Sequence, residues 1–213
     1  MDAEFWHRKW HAREIGFHEK AVNPLLESHF ERLGLSAGDR IFLPLCGKTL
    51  DIAWLLGRGI RVVGIELSPL AVGELFEELG VAPEVTSVGG LRHHRAEGID
   101  VFLGDIFELD RARLGSVDAV YDRAALVALP PPMRSRYASH VRRISGGTRQ
   151  LLVTFEYDQS RLEGPPFSVD EAEVRTLYES DYAMSILSTS DVPGGLKGKV
   201  PAVDRAWLLE PRS

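Results

Sequence analysis

The chain contains a single cysteine, Cys46, so it can form no internal disulfide and offers no cysteine cluster to hold zinc. That usage agrees with a reducing compartment. No apolar run approaches the ~20 residues needed to cross a bilayer, and the opening Met1-Asp-Ala-Glu-Phe5 lacks a basic-then-apolar leader. A cytoplasmic protein with no membrane partner is expected. Positive charge is not in excess: 25 Lys and Arg stand against 31 Asp and Glu, a formal net charge of -6. Nucleic-acid binding draws its affinity from phosphate neutralisation, so no nucleic-acid partner is expected. The basic cluster Arg134, Arg136, Arg142 and Arg143 reads as solvated helix positions. Internal repeats and low-complexity segments are lacking as well, and with 44% apolar and 26% charged residues the disordered and collagen-like classes drop out. At 213 residues the chain has the length of one α/β domain, expected to span 1–213, and no exposed apolar stripe is recognisable, which favours a monomer.

What is present is a cofactor-binding pattern. Arg40-Ile-Phe-Leu-Pro-Leu-Cys-Gly-Lys48 reads as an apolar strand running into a glycine turn, and Val62-Val-Gly-Ile-Glu66 as a second strand ending on a carboxylate. A carboxylate there can accept hydrogen bonds from both ribose hydroxyls of an adenosine. The turn Leu43-Pro-Leu-Cys-Gly47 has one glycine where a pyrophosphate loop has three, and Pro44 removes an amide donor. A phosphate-free adenosine cofactor such as S-adenosylmethionine fits this turn better than a dinucleotide. An ordinary structural βαβ unit remains the alternative for the pattern taken alone.

The rest of the chain continues the alternation. Residues 4 to 34 read as two helical pieces; Ser68-Pro69 as an N-cap and first helical residue, with the helix running to about Leu79 before Gly80; and Ile99 to Leu103, Val117 to Tyr121 and Gln150 to Tyr157 as further strands. Residues 89 to 98 read as a polar interruption, a hairpin or surface loop, and two candidate strands, Met184 to Thr189 and Ala206 to Leu209, close the chain. Seven strands in this order predict an α/β fold: a doubly wound, mostly parallel sheet with helices on both faces and a reversed edge. Ligands in such sheets lie beyond the carboxyl ends of the strands. That rule selects Leu45 to Gly47, Glu66, Asp105 and Ile106, and Asp122 and Arg123, with ordinary surface ion pairs as the bland alternative. Cys46 is read as a small buried packing residue rather than a nucleophile. His7 and His11 stand at i,i+4 but lack the following Glu of a zinc protease motif, so no metal is expected.

Several segments together resemble the thiopurine S-methyltransferase family. They are Phe42-Leu-Pro-Leu-Cys-Gly-Lys48, Val62-Val-Gly-Ile-Glu-Leu-Ser68, Gly104-Asp-Ile-Phe107, Tyr121-Asp-Arg-Ala-Ala-Leu-Val-Ala-Leu129, Glu156-Tyr-Asp158 and Gly164-Pro-Pro-Phe167, with Trp6, Trp10 and Gly16-Phe17-His18 ahead of them. The resemblance implies a class I methyltransferase fold with residues 1–36 as a helical cover, S-adenosylmethionine as cofactor, and contacts to it from Trp10, Leu45, Glu66, Ile106 and Arg123. It places Phe17 near the acceptor. The implied acceptors are thiopurines and aromatic or heterocyclic thiols, or selenium and tellurium compounds. A thiol acceptor asks for little acid-base chemistry, and Asp122 and Asp158 are the weak candidates for it. The stretch Ser190-Asp-Val-Pro-Gly-Gly-Leu-Lys-Gly-Lys199 departs from the family pattern. A methyltransferase for another small nucleophile such as a halide or thiocyanate, and a non-catalytic adenosyl-binding protein, stand as alternatives. A nicotinamide-dependent oxidoreductase would show a fuller glycine loop and a Tyr-Lys pair, and neither is present.

Overall fold

The computed structural model describes residues 3–16 and 18–212. Nine strands form one sheet: β1 Arg40–Pro44, β2 Arg61–Glu66, β3 Glu84–Val88, β4 Leu91–Ala96, β5 Ile99–Leu103, β6 Ala119–Arg123, β7 Arg149–Tyr157, β8 Tyr182–Asp191 and β9 Ala202–Pro211. Their order is β3-β4-β5-β2-β1-β6-β7-β9-β8. The central strands β5, β2, β1, β6 and β7 are mutually parallel, and β4 and β9 flank them antiparallel. The chain winds outward from β1 in both directions, so the strand order reverses there and leaves a crevice beyond the carboxyl ends of β1 and β6.

The parallel strands are apolar on both faces because helices cover both. On β1, Ile41 and Leu43 enter one core cluster and Phe42 the other, and on β7 Leu151 and Val153 alternate with Leu152 in the same way. One face packs against α3 Asp51–Leu56 and α4 Pro69–Leu79, and the other against α6 Pro131–Ser145 and α7 Glu171–Tyr178. Ahead of them lie α1 Ala3–His11 and α2 Pro24–His29, and α5 Arg111–Leu114 precedes α6. The helix expected after Ser68 forms as read: the Ser68 side chain accepts from the Ala71 amide, Pro69 occupies the first turn, and Gly80 closes the helix at φ 68.

The seven-strand expectation is corrected to nine. The polar interruption is a real hairpin, β3 with β4, that adds two strands to the β5 edge. Its polarity hid it, because β3 is exposed along most of its length. β4 is held by its antiparallel ladder to β5 and by side-chain stacking: the His93 ring lies on Phe102 at 4.4 Å and 10°, while its Nε2 meets Asp100 Oδ1 at 2.8 Å. A second correction concerns Arg134, expected in solvent and found 1% exposed. Its Nε donates to the Leu129 carbonyl at 2.9 Å, its Nη1 pairs with Glu173 Oε2 at 2.6 Å, and its guanidinium lies 5.6 Å from the Phe167 ring. The buried charge thus fastens the Gly164–Phe167 loop to α6 and α7.

Asp122 makes a comparable tie between β6 and α6. It is wholly buried; Oδ2 accepts from the Tyr137 hydroxyl at 2.7 Å and Oδ1 from the Leu126 amide at 3.0 Å. Burial pushes its carboxyl up to about 6 against the opposing pull of those hydrogen bonds. An unfolded Asp titrates near ~3.9, so the folded state holds this proton more tightly. The stability that Asp122 contributes is therefore fully present below about pH 4 and is lost as pH rises through about 6. The unfolding free energy of the wild type minus that of Asp122→Asn should fall by on the order of 2–3 kcal/mol between about pH 4 and pH 7. Urea titrations at each pH would read it, and a difference flat with pH would remove Asp122 as the titrating group.

Candidate active site

The crevice is built around Glu66. It ends β2 almost fully buried, with Oε2 accepting from the Gly47 amide at 2.9 Å and Oε1 from the Ser68 amide at 2.7 Å. Burial raises its pKa above the ordinary carboxylate value, while the amides of Ser68, Gly47 and Leu67 favour the anion. Each oxygen has spent one lone pair, and a carboxylate offers about four acceptor sites. The acceptor capacity left over suits the hydroxyls of a diol, which is the chemistry of a ribose, so Glu66 fits the adenosine end of the expected cofactor.

The β1 turn is shaped for close approach. Leu45 and Gly47 both have positive φ, 48° and 54°. A methyl group at Gly47 would come within 3.3 Å of Trp10 Cζ2, so a glycine lets the indole close over the turn. Trp10 is 2% exposed there. His7 of the same helix has Nε2 3.2 Å from the Leu67 carbonyl, which makes that nitrogen the donor. Cys46 is buried with its thiol pushed well up by burial and by Glu66; a Cβ at Gly64 would stand 2.7 Å from its Sγ. A protonated thiol packed against a glycine is a spacer between β1 and β2, as its size suggests.

Lys48, next in the turn, reaches α4, with Nζ 3.0 Å from Glu74 Oε2 and 2.5 Å from Glu78 Oε1. Arg13, just after α1, meets Glu74 Oε1 at 2.5 Å. His18 lies near this cluster with its Nδ1 buried and unbonded, and burial lowers its pKa, Lys48 adding to the effect. At the end of β6, Arg123 pairs with Glu19 Oε1 at 2.5 Å and its side chain is 10% exposed. The residue after it, Ala124, takes φ 60.

Trp10, Leu45, Glu66 and Arg123 thus gather at the carboxyl edge of β1, β2 and β6. Ile106 follows β5, but its side chain is fully buried in the core under α6 and its carbonyl accepts from His140 Nε2 at 2.8 Å. Asp105 caps the turn ahead of it, accepting from the Phe107 amide at 3.0 Å. Phe17 lies outside the described residues. Of the two carboxylates read as proton acceptors, Asp122 has both oxygens engaged within the core. Asp158 is exposed at the end of β7, where Oδ1 accepts from the Ser160 amide at 3.1 Å. The sequence had given no sign of Arg13 or Glu19 at the crevice, nor of the partners of Lys48, because ion pairs between distant segments leave no periodic or motif signal.

Beyond the ends of β7 and β9 two loops meet. Lys197 in the β8–β9 turn donates to the Pro165 carbonyl at 2.7 Å, joining the glycine-rich stretch to the Gly164–Phe167 loop. A cavity of about 830 Å³ opens beneath that turn beside Glu156, Asp158, Asp191, Lys199 and Val203. Among the described residues no helix is long and apolar enough to cross a membrane, and no group of three or more His, Cys, Asp or Glu side chains is placed to hold a metal ion.

Comparison with known proteins agrees with this architecture. The family model described as Thiopurine S-methyltransferase (TPMT) matches residues 1–206. A Xanthobacter autotrophicus protein named thiopurine S-methyltransferase is 57% identical over 211 residues, covering 99% of this chain and 99% of its own. One of that name from Teredinibacter turnerae is 51% identical over 209 residues, 98% of this chain and 97% of its own. Among solved structures, the 1,6-didemethyltoxoflavin-N1-methyltransferase of Burkholderia thailandensis, with S-adenosylhomocysteine bound, superposes with a TM-score of 0.67 at 18% identity, covering 99% of this chain and 87% of its own. A methyltransferase of Methanosarcina mazei described as SAM-dependent gives 0.63 at 17%, covering 90% and 99%. These two establish the class I methyltransferase fold, and the full-length sequence matches establish more: the chain belongs to the thiopurine S-methyltransferase family, enzymes that use S-adenosylmethionine as methyl donor.

Proposed function

We propose that this methyltransferase acts as a monomer on the sulfur of thiopurines and of aromatic or heterocyclic thiols, and on selenium or tellurium compounds of similar softness. The observation that supports it is 57% identity spanning the whole of both chains, so that the loops around the crevice fall inside the match. The bound cofactor supplies a methyl group already activated on a sulfonium. The chain's part is to hold, orient and exclude water.

In this reading Glu66 receives the ribose hydroxyls on its free lone pairs. Trp10 covers the sulfonium end, where a π face attracts a cation without offering a nucleophile. Leu45 and Ile106 flank the cofactor through the backbone turns they occupy, and Arg123, steadied by Glu19, faces its carboxylate. Phe17 is assigned to the acceptor by the family resemblance, and residues 1–36 are taken as the cover. Asp122 is left to the core and Asp158 to its loop.

Glu66→Gln keeps one acceptor oxygen and removes the anion. Cofactor affinity should fall by roughly 1–3 kcal/mol, about 5- to 150-fold, in calorimetry with S-adenosylhomocysteine. An affinity equal to wild type would take Glu66 off the ribose. For the acceptor, incubation with S-adenosylmethionine and 6-mercaptopurine, thiophenols, selenite, selenocysteine or thiocyanate should yield methylated thiopurine and thiophenol by mass spectrometry. Methylated thiocyanate alone would replace the thiol reading with that of a small-anion methyltransferase.

A further inference from the structure

The crevice has a carboxylate that neither the cofactor contacts nor the core uses. Asp204 lies on β9 opposite Phe155 of β7, two residues beyond the level at which Val153 pairs with Arg123 of β6 and with Ala206 of β9. Side chains in register across neighbouring strands share a face, and residues two apart along a strand share it too. Asp204 therefore points to the same face as Arg123, at the carboxyl edge, on the side away from Glu66. Its Oδ1 is buried and has no hydrogen-bond partner. A buried carboxylate oxygen without a donor is costly, and a donor brought by a ligand relieves it.

The surroundings agree. Glu19, the partner of Arg123, is the charged group that faces Asp204 from the segment between α1 and α2; burial raises the Asp204 pKa, Glu19 adds to it, and a hydrogen bond from the Asp204 backbone amide opposes it. Glu156 and Arg205 pair with each other at 2.8 Å, and the strand alternation puts Arg205 on the opposite face from Asp204. On β8 the neighbour is Ser190, and His29 of α2 is engaged with Ser188 Oγ at 2.8 Å. Among the described residues no ion pair joins a cation to Asp204.

We propose that Asp204 is a catalytic residue, the proton acceptor for the thiol; this rests on the thiol reading given above. As the acceptor's S–H bond breaks, its proton passes to a carboxylate oxygen of Asp204. The electron pair freed on sulfur forms the new S–CH3 bond, and the pair of the broken sulfonium S–CH3 bond stays on the donor's sulfur. Asp204 then returns the proton to water. A carboxylate whose pKa burial raises is a stronger base for this than an exposed one.

The test is kcat/KM against pH for ring-substituted thiophenols of graded acidity, on wild type and Asp204→Asn. Wild type should show one acid limb at the same pH for every member, because the ionising group belongs to the protein. In Asp204→Asn that limb should give way to one that follows each thiol's own ionisation. The loss should grow from under about tenfold for the most acidic thiol to on the order of 100-fold for the least. A structural role would lower all members by one factor, and that result would overturn the proposal. So would a limb that persists in Asp204→Asn and disappears in His18→Gln. S-adenosylhomocysteine affinity within about twofold of wild type verifies that the variant's site is intact. Should it be lost, the wild-type series decides, since a limb tracking each thiol's acidity excludes a protein base. If wild type methylates no thiophenol at all, the thiol reading itself fails, whatever the variant does.

Discussion

Everything at the carboxyl edge hangs on one buried anion. Glu66 grips the amides of Gly47 and Ser68, and those two amides belong to the turn after β1 and the cap of α4. One side chain thus fixes the start of two elements. The grip is what makes burial tolerable: a carboxylate taken out of water without donors would neutralise, and three backbone amides oppose that. From the turn it fixes, Gly47 receives Trp10; from the helix whose cap, Ser68, it holds, Glu74 reaches back to Lys48 and Arg13. Replacing Glu66 by a neutral residue would therefore loosen the β1 turn and the start of α4, and with the turn the seat of Trp10.

Much of this was legible in the chain because it is local. The Ser68-Pro69 cap, the single-glycine turn and the strand ending in a carboxylate are each written within a few residues, and each formed where the spacing put it. What was not legible is non-local. Arg134 looks like any helix arginine until Glu173, Ser168 and Phe167, more than thirty residues on, converge on it. The β3–β4 hairpin has no apolar alternation to announce it, since His93 and His94 stack on Phe102 and Phe76 instead of aliphatic neighbours. Asp204 sits in a strand whose only sequence signal is apolar, Ala206 to Leu209, and its position opposite Phe155 appears only with the antiparallel register. The family resemblance reached further than spacing did, but it carried nothing past Asp181, where this residue lies.

Both faces of the sheet are fastened by buried hydrogen bonds, Asp51 of α3 accepting from the Tyr121 hydroxyl at 3.1 Å and the Asn23 amide at 2.8 Å on the α3–α4 face, whereas α1 is held by other means. On the α6–α7 face the ties are buried and hydrogen-bonded, Asp122 with Tyr137 and Arg134 with Glu173, and removing one partner of such a pair leaves a polar group stranded in the core. On the other face α1 is held at its end by Arg13 and Glu74, and the arginine is 61% exposed. An exposed ion pair of that kind contributes about 0–1 kcal/mol and weakens with salt. Burying an indole is larger, roughly 4–6 kcal/mol for the 150–250 Å² an aromatic side chain removes from water. The comparison decides which contact holds α1. Trp10 does, and it does so by resting on the glycine whose amide Glu66 binds, so the seat of α1 and the shape of the β1 turn depend on the same carboxylate.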